Sequence, residues 1–350
     1  MKAYNLHGIN DFRYEEVAEP TCEKGSVIVR VRAAGICGSD IPRIYRTGTY
    51  HYPLIPGHEF SGEVVNCTED DKEYMGKRVG VFPLIPCMKC PQCIKKQYEM
   101  CSDYNYLGSR CNGGFAEYVK VPIWNLIELP ENVTYEQAAM LEPMSVAVHA
   151  ARRTGLIGCV NSSKTLNENT KITVMGLGTV GMSLIMMLLS EGYKNIVAVG
   201  NKAIQKKIAL ELGLGEDYYI NSKNYVPGDN LADVFFDCVG TKEVVDTALN
   251  SVVPAGKICL VGNPASDIDI PKKSYWQILR KQFTLIGTWN SSFTHDDNDD
   301  WHYVIDKLRA GNIHPELMIT HKYDFENMMN GFELMRDKSE EYIKVMGKFI

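Results

Sequence analysis

Two features that mark common classes of protein are missing from this 350-residue sequence. Basic residues do not predominate, since 37 Lys and Arg stand against 43 Asp and Glu for a net charge of −6, and they form no block. A long apolar run is also lacking, because the longest, at 180–189, is too short to span a bilayer. We therefore expect neither nucleic acid nor a membrane among the partners of the protein.

The amino terminus and the cysteine content together predict a cytoplasmic location. The first residues, MKAYNLHGINDFRYEE, are polar and charged and do not predict a signal peptide. The eleven cysteines do not fit a secreted disulfide scaffold, because their number is odd and the chain is large. We expect instead that cysteine binds metal. The composition, 45% hydrophobic and 23% charged, is typical of a globular protein whose length allows two domains.

A glycine-rich turn between two strand-like segments dominates the middle of the sequence. An apolar run at 171–175 is followed by Gly176, Gly178 and Gly181, then by a Met- and Leu-rich helical segment and a second apolar run at 196–199. This order is the βαβ fingerprint of dinucleotide-binding proteins. The first glycine permits the tight turn, the second lets the backbone approach a pyrophosphate, and the third lets helix and strand pack closely.

The residues at the start of the helix and after the second strand would contact this cofactor. Thr179 and Val180 begin the helix, whose unpaired N–H groups attract a pyrophosphate. NAD-binding proteins carry an acid after the second strand to hold the ribose 2′-hydroxyl, whereas this chain has Gly200, Asn201 and Lys202. A small residue followed by a cation suits the 2′-phosphate of NADP, which we favour. Alternatively, Lys202 is a solvated lysine and the site takes either cofactor.

The character of the chain changes near Tyr135 and again near Asn290, where it becomes mixed. The first part, to about residue 130, has short alternating strands with Gly and Pro turns, such as SVIVRVRAA at 26–34, and is typical of a β-barrel. Helices and strands then alternate, which predicts a parallel, doubly wound sheet. We expect a polar loop at 161–170, and an exposed loop at the acidic run HDDNDD, 295–300.

Four cysteines define a compact lobe at 83–104. They have the spacing C-x2-C-x2-C-x7-C within a loop that contains three prolines, and they are Cys87, Cys90, Cys93 and Cys101. Four thiolates this close together fit a tetrahedral zinc site of the structural kind, which leaves no position for substrate. The last gap is longer than in iron–sulfur ferredoxins, and a cytoplasmic location disfavours disulfides. We therefore predict structural zinc.

A second set of metal-binding residue types is spread along the first part of the chain. It comprises Cys37, the neighbours His58 and Glu59, and Glu142 in the triplet LEP. Thiolate, imidazole and carboxylate ligands are typical of catalytic zinc, which keeps one position for water or substrate. Each residue also has an ordinary interpretation, as a core cysteine, a hydrogen-bonded turn histidine or a capping acid. On spacing alone, both interpretations remain open.

Several motifs, taken in order over essentially the whole chain, resemble one enzyme family. They are CGSD, GHEFSGEV, the four-cysteine lobe, GGFAEY, LEP and GLGTVG. They resemble the zinc-dependent medium-chain alcohol dehydrogenases, and among these the polyol branch of sorbitol dehydrogenases. The resemblance implies an α/β protein with a doubly wound Rossmann sheet, at 149–288, inserted in a β-rich GroES-like catalytic domain, at 1–148 and 289–350. It further implies a homodimer or homotetramer.

The resemblance also implies roles for individual site residues. Cys37, His58 and Glu59 would bind the catalytic zinc, and Glu142 would be a further ligand or would hold the metal-bound water. Together with the cysteine lobe, this makes two zinc ions per chain. Ser39 would pass the proton released by the substrate hydroxyl towards solvent. Alternatively, Ser39 forms only a hydrogen bond to the backbone of its own loop.

Two longer stretches of sequence indicate which substrate to expect. CGSDIPRIYRTGTYHYPLIPGHEFSG and YLGSRCNGGFAEY are similar to members of the polyol branch that act on galactitol 1-phosphate. The expected reaction is hydride transfer between such a polyol phosphate and NAD(P), giving a keto-sugar phosphate. A phosphate requires a cation, and Arg43, Arg46 and Arg110 are candidates, each with the alternative of an ordinary surface arginine.

Two other functions remain as alternatives. One is dehydrogenation of a neutral polyol or a small secondary alcohol, for which no phosphate-binding arginine is required. The other is a relative without turnover that has a binding or structural role, although the intact Cys37, His58 and Glu59 set argues against it. The chain departs from the polyol dehydrogenases at Gly200, where an NAD-selecting aspartate is common, so both the cofactor and the working direction stay open.

Overall fold

The computed structural model describes residues 1–158 and 167–349, which divide into two compact units. The first unit comprises Met1–Glu142, Ser292–Gly311 and Ile319–Ile350, and the second comprises Pro143–Ser291 and Asn312–Met318. The chain therefore changes unit after residue 142 and again before residue 292, whereas the sequence placed these boundaries at 148/149 and 288/289. The loop predicted at 161–170 falls largely outside the described residues.

Short strands predominate before residue 140, as the alternating pattern predicted. Val27, Val29 and Val31, at every second position of one strand, are all fully buried, which is the period expected when one face of a strand packs on a core. The strands are β1 (Lys2–Gly8), β2 (Asp11–Glu16), β3 (Ser26–Ile36), β4 (Glu59–Cys67), β5 (Arg78–Val81), β6 (Leu84–Ile85), β7 (Asn105–Tyr106), β8 (Tyr118–Pro122) and β9 (Leu126–Glu128), and the helices are α1 (Asp40–Pro42), α2 (Pro91–Ile94) and α3 (Tyr135–Ala139).

Helices alternate with strands in the remainder of the chain. Up to residue 287 the elements are α4 (Leu141–Thr154), β10 (Ile172–Met175), α5 (Thr179–Ser190), β11 (Ile196–Gly200), α6 (Ala203–Glu211), β12 (Tyr219–Asn221), β13 (Ala232–Asp237), α7 (Lys242–Asn250), β14 (Val252–Leu260), α8 (Lys272–Lys281) and β15 (Thr284–Gly287). The last ones are α9 (Asp300–Arg309), β16 (Ile319–Asp324), α10 (Met329–Asp337) and β17 (Lys344–Lys348). Within the described ranges, no helix combines the length and the apolar character needed to cross a bilayer.

A seven-stranded sheet organises the first unit. Its order is β16-β17-β3-β4-β5-β9, and β8 also pairs with β3. The last strand of the chain runs antiparallel to β3, with Val345 opposite Ile36. Around this sheet lie fully buried aromatic side chains, among them Phe115 and Phe332, whose ring centroids are 5.1 Å apart. The two ends of the chain thus share one core.

The second unit is a doubly wound parallel sheet, as the sequence predicted. Its strand order is β12-β11-β10-β13-β14-β15, and each neighbouring pair is parallel. Because β10 lies between β11 and β13, the winding direction reverses at β10. The carboxyl ends of strands at such a reversal form the crevice in which proteins of this architecture bind ligands. The glycine-rich turn follows β10 directly.

The acidic run at 295–300 is only partly an exposed loop, so that prediction was wrong for its last two residues. Asp299 and Asp300 are 4% and 1% exposed. Asp299 caps α9 by accepting a hydrogen bond from the His302 N–H at 2.8 Å, and its second oxygen accepts one from Thr294 N–H, also at 2.8 Å. These carboxylates are buried because they satisfy backbone donors at a helix start and in the preceding loop.

Candidate active site

Antiparallel pairing of β3 with β4 brings three predicted metal ligands together. Gly35, near the end of β3, is opposite Glu59, the first residue of β4. Cys37 follows β3 and His58 precedes β4, so both lie at the same end of the strand pair. A Cβ at Gly35 would collide with Glu59 Oε2, so only glycine leaves room for this carboxylate. One donor atom each from Cys37, His58 and Glu59 lies within 4.8 Å of the other two.

Asp40, which the sequence analysis did not single out, contacts two of these residues. It is fully buried, its Oδ2 accepts a hydrogen bond from the Cys37 N–H at 3.0 Å, and its Oδ1 lies 3.6 Å from His58 Nδ1. Burial by itself lowers the pKa of His58, but the charges of Asp40 and Cys37 outweigh it and raise this pKa to about 10. Asp40 therefore holds the loop after β3 and places a negative charge beside the imidazole.

Lys344, in the last strand, is a further residue that the sequence analysis missed. Its Nζ forms an ion pair with Glu59 Oε2 and donates a hydrogen bond to the Ile36 carbonyl at 3.2 Å. Both charged side chains are 2% exposed. Burial lowers the pKa of Lys344, but Glu59 and Cys37 outweigh it, so the net shift is upward and the ammonium stays charged. A single lysine inside the apolar run YIKVM was the available signal.

Glu142, the fourth predicted ligand, is not part of the three-residue group. Its Oε1 accepts a hydrogen bond from Tyr106 Oη at 3.3 Å. Burial and the neighbouring charge of Glu59 raise the pKa of Glu142 to about 7, although His58 and Lys344 oppose the shift. Burial likewise raises the pKa of Tyr106 well above its usual value, so this phenol remains a hydrogen-bond donor. Glu142 thus lies near the group, in contact with Tyr106.

The donor set of Cys37, His58 and Glu59 fits a zinc ion. Thiolate, imidazole and carboxylate are the ligand types that zinc takes, and three protein ligands leave a fourth position for water or substrate. The polar atoms are also placed for a ligand, because His58 Nδ1 is buried and has no hydrogen-bond partner. Buried polar atoms are normally paired, so an orphaned one next to a thiol and a carboxylate marks a binding site.

The four-cysteine lobe fits a second, closed zinc site. The sulfur atoms of Cys90 and Cys93 are 3.5 Å apart, those of Cys87 and Cys93 are 3.9 Å apart, and those of Cys90 and Cys101 are 3.9 Å apart. A tetrahedral site with Zn–S bonds of about 2.3 Å has sulfur–sulfur separations of roughly 3.8 Å. All four thiols are free. Their arrangement therefore matches a zinc tetrahedron rather than disulfides.

The glycine-rich turn has the geometry that a pyrophosphate requires. Gly176 has φ of +97°, and a Cβ there would lie 2.5 Å from Val239 Cγ2. A Cβ at Gly181 would collide with the Gly176 carbonyl, so helix and turn can approach only because this residue is glycine. Gly178 precedes α5 without a side-chain cap, and nothing lies within 4 Å of its Cβ position. The start of α5 thus presents backbone N–H groups beside open space.

The turn after β11 is held by Gln205, a residue of α6 that the sequence analysis missed. Gln205 Oε1 accepts hydrogen bonds from the backbone N–H groups of Asn201 at 2.8 Å and Lys202 at 3.0 Å. Gln205 Nε2 donates a hydrogen bond to the Leu177 carbonyl at 3.0 Å. The predicted cofactor residues after β11 are therefore connected to the glycine-rich turn by one buried side chain. Its position inside an ordinary helical pattern left no signal in the sequence.

The remaining predicted site residues differ in how they are placed. Ser39 is exposed, and its Oγ donates a hydrogen bond to Cys37 Sγ at 3.3 Å. Arg43 is engaged by Asp40, with Nη1 donating to Oδ1 at 2.5 Å. Arg46 is exposed. Arg110 donates hydrogen bonds to the Tyr104 carbonyl at 3.2 Å and to Tyr50 Oη at 3.3 Å, and its guanidinium stacks on both rings.

The fold and these two sites define a class of protein. A mixed thiol, imidazole and carboxylate group in a β-rich unit and a dinucleotide turn in a doubly wound parallel unit are the parts of a metal-dependent dehydrogenase. The profile of the alcohol dehydrogenase GroES-like domain matches residues 23–131, and that of the glucose dehydrogenase C-terminus matches residues 135–348. The chain belongs to the zinc-dependent medium-chain dehydrogenases and is a polyol or alcohol dehydrogenase of that family.

Individual relatives agree with this placement. The chain is 30% identical to galactitol 1-phosphate 5-dehydrogenase of Escherichia coli (strain K12), over 89% of this chain and 90% of that protein. It is 27% identical to sorbitol dehydrogenase of Bacillus subtilis (strain 168), over 99% of this chain and 96% of that protein. Among solved structures, galactitol-1-phosphate dehydrogenase from Escherichia coli superposes with a TM-score of 0.89 at 28% identity, covering 99% of this chain and 100% of that one.

Proposed function

We propose that the protein oxidises a polyol phosphate, galactitol 1-phosphate or a close analogue, to a keto-sugar phosphate with NAD(P) as hydride acceptor, or runs the reverse reduction. The observation that carries the proposal is the convergence of donor atoms from Cys37, His58 and Glu59 in a chain that also has an uncapped dinucleotide turn. The relative named galactitol 1-phosphate 5-dehydrogenase supports the substrate class.

The residues around the group of Cys37, His58 and Glu59 have separate roles in this reaction. Cys37, His58 and Glu59 would hold a zinc ion, which would supply a Lewis acid for the substrate oxygen. Ser39 Oγ is exposed and contacts Cys37 Sγ at 3.3 Å, so it is placed to carry the proton of the substrate hydroxyl to solvent, while the carbon that bears this hydroxyl gives up hydride to the nicotinamide. Glu142, hydrogen-bonded by Tyr106, would hold water near the group. In the reverse direction Ser39 returns the proton.

Arg110 is the cation we favour for the substrate phosphate. Its guanidinium lies 4.5 Å from the ring centroid of Tyr50 and 4.3 Å from that of Tyr104, which fixes its plane. The Tyr104 ring contacts that of Tyr106, with centroids 6.2 Å apart, and Tyr106 bonds Glu142. A continuous series of contacts therefore joins Arg110 to the metal-binding residues. Planar guanidinium groups bind phosphate through paired hydrogen bonds.

Arg43, another of the predicted arginine candidates, has a different role in this proposal. Its Nη1 already bonds Asp40, and Asp40 in turn bonds the Cys37 N–H and faces His58. A substrate phosphate at Arg43 would compete with this buried carboxylate. Arg43 thus positions the loop after β3, and it contacts substrate only through donors that Asp40 leaves available.

Two zinc ions per chain and NADP complete the proposed cofactor set. The second zinc would be held by the cysteine lobe, whose sulfur separations fit a tetrahedron. NADP is favoured because β11 ends at Gly200, where an acid would repel the 2′-phosphate, and Lys202 follows two residues later. The use of NAD, alone or as well, is the alternative.

A homodimer or homotetramer is also proposed, on the basis of one face of the second unit. β15 is an edge strand of the parallel sheet. Leu285 on this strand and Trp276 and Leu279 on α8 are each 45% or more exposed. Exposed sheet edges and large apolar side chains are normally covered in the functional assembly. A second copy of the chain would cover them by the closed symmetry usual for enzymes.

The decisive experiment measures cofactor reduction by absorbance at 340 nm, together with the zinc content of the same protein. We expect turnover of galactitol 1-phosphate with NADP, a kcat/KM for galactitol at least about tenfold lower, and two zinc ions per chain. Equal kcat/KM for galactitol and its phosphate would remove the phosphate from the proposal. Turnover of sorbitol or another neutral polyol would then establish the second candidate, which the engagement of Arg43 by Asp40 and the sorbitol dehydrogenase relative favour.

A further inference from the structure

One buried amide joins the two turns that would hold the cofactor. Gln205 is 8% exposed and lies in the first turn of α6. Its side chain accepts two backbone N–H bonds from the turn after β11 and donates one to Leu177 in the glycine-rich turn. Both ends of the amide are therefore satisfied. A buried side chain with hydrogen bonds at both its donor and acceptor ends favours one arrangement of the backbone.

The same amide fills the space in which an acid after β11 would have to lie. A Cβ at Gly200 would be 2.7 Å from Gln205 Oε1, 2.8 Å from Leu177 Cδ1 and 3.0 Å from Tyr219 Oη. Heavy atoms cannot approach this closely without displacement. A carboxylate at this point would also face the partial negative charge of the amide oxygen. An acid at position 200 would therefore have to displace the Gln205 amide, which three hydrogen bonds hold in place, as well as the Leu177 and Tyr219 side-chain ends.

The Gln205 bonds also decide which groups remain for a phosphate. The backbone N–H groups of Asn201 and Lys202 point to Gln205 Oε1 and are already paired. An anion beside this turn would therefore meet the side chains of these two residues and not their backbone N–H groups. Since those side chains start from a backbone that Gln205 holds, loss of the amide would loosen the site for a 2′-phosphate more than the site for a 2′-hydroxyl.

We infer that Gln205 is a specificity-determining residue of the cofactor site. It braces the turn after β11 and opposes an acid at position 200, so that preference for NAD requires changes at 200 and 205 together. This inference rests on the proposed preference for NADP, but the coupling between the two positions exists whichever cofactor the wild-type protein prefers. Residues that share a contact are expected to be non-additive, whereas separate residues are additive.

The test is a double-mutant cycle with Gly200→Asp, Gln205→Ala and the double variant. Dissociation constants for NAD and NADP are measured by calorimetry, and thermal midpoints are measured without cofactor. Gly200→Asp alone should lower the thermal midpoint and leave NAD binding no tighter than in the wild type. The double variant should bind NAD about tenfold more tightly than the Gly200→Asp protein does. Its thermal midpoint should lie above that of the Gly200→Asp protein. Lys207→Gln, an exposed substitution on the same helix, is the matched control and should change neither quantity.

Additive effects would overturn the inference. If Gly200→Asp by itself binds NAD as tightly as the double variant, Gln205 does not oppose the acid. Gln205→Glu is a second test variant. It keeps the hydrogen-bond acceptor and the shape of the side chain but loses the donor to Leu177 and adds a negative charge. This variant should weaken the binding of NADP more than the binding of NAD. A wild-type protein that binds both cofactors equally would refute the proposed NADP preference, while the cycle would still decide the role of Gln205.

Discussion

Lys344 forms an ion pair with Glu59 inside the first unit, and both side chains are almost completely buried. The two residues are far apart in the sequence, and β17 brings them together by pairing with β3. Glu59 is at the same time one of the three residues whose donor atoms converge beside Cys37. The last strand of the chain therefore supplies a buried positive charge as the ion-pair partner of a proposed metal ligand.

Removal of Lys344 should destabilise the first unit strongly. Lys344→Met leaves the buried Glu59 carboxylate without its partner, which typically costs about 3–5 kcal/mol. Urea unfolding followed by tryptophan fluorescence measures the loss. The matched control is Lys348→Met on the same strand, because Lys348 is 55% exposed and pairs with Glu136 at the surface. This control should change the unfolding free energy by less than about 1 kcal/mol.

A double variant tests whether the loss of stability comes from the unpaired charge. Lys344→Met combined with Glu59→Gln removes both charges and should be more stable than Lys344→Met alone. If the double variant is no more stable than the single one, the loss arises from packing of the lysine stem and not from the unpaired carboxylate.

The cysteine lobe should bind one zinc independently of the Cys37 group. Cys93→Ser replaces a buried thiolate by a poor zinc ligand, so metal analysis should find one zinc per chain fewer than in the wild type, together with a lower thermal midpoint. Cys22→Ser is the control, since Cys22 lies outside both groups of converging donors. An unchanged zinc content in Cys93→Ser would contradict a four-thiolate site.

Arg110 should affect phosphorylated substrates selectively. Arg110→Ala removes a charge-assisted contact worth about 1.5–3 kcal/mol, so KM for the polyol phosphate should rise roughly tenfold to a hundredfold. The KM for a neutral polyol should change little. Arg46→Ala, which alters another arginine of the same unit, serves as the comparison in steady-state kinetics. A larger effect from Arg46 than from Arg110 would move the phosphate site to the turn after α1.

The His302 side chain should make stability depend on pH. Its Nδ1–H donates a hydrogen bond to Asp299 Oδ1 at 2.9 Å, and this bond, against the opposing effect of burial, raises the pKa of His302. A raised pKa in the folded state means that the stabilisation is complete below the unfolded value of about 6.5 and declines as the pH rises through the folded value. Denaturant unfolding of His302→Asn should therefore differ from wild type more near pH 6 than near pH 9.

The expected size of this effect is small, below about 1 kcal/mol, because the imidazole is partly exposed. His314→Asn is the comparison variant, since His314 is 59% exposed. A difference between wild type and His302→Asn that is the same at both pH values would show that the ring contributes by packing on Phe293 and not by its charge.

Features encoded within short stretches could be predicted from the sequence. The glycine-rich turn requires only β10, the first turn of α5 and three glycines, and its steric requirements at Gly176 and Gly181 are met as predicted. The cysteine lobe closes within fifteen residues, from Cys87 to Cys101, so its spacing already limited the geometry. The parallel sheet followed from the alternation of strand and helix patterns.

Only the tertiary structure decided which distant residues support these local motifs. Lys344 reaches Glu59 because β17 pairs with β3, and Gln205 reaches Leu177 because α6 packs beside the turn after β10. Asp299 and Asp300 are buried because they satisfy donors of α9 and the loop before it, although their own sequence is purely polar. The sequence by itself determined the parallel sheet, the glycine turn and the thiol lobe, because their information is local. The charge partners were decided by strand pairing and packing, because a buried charge takes whichever opposite charge or donor the folded chain brings within reach.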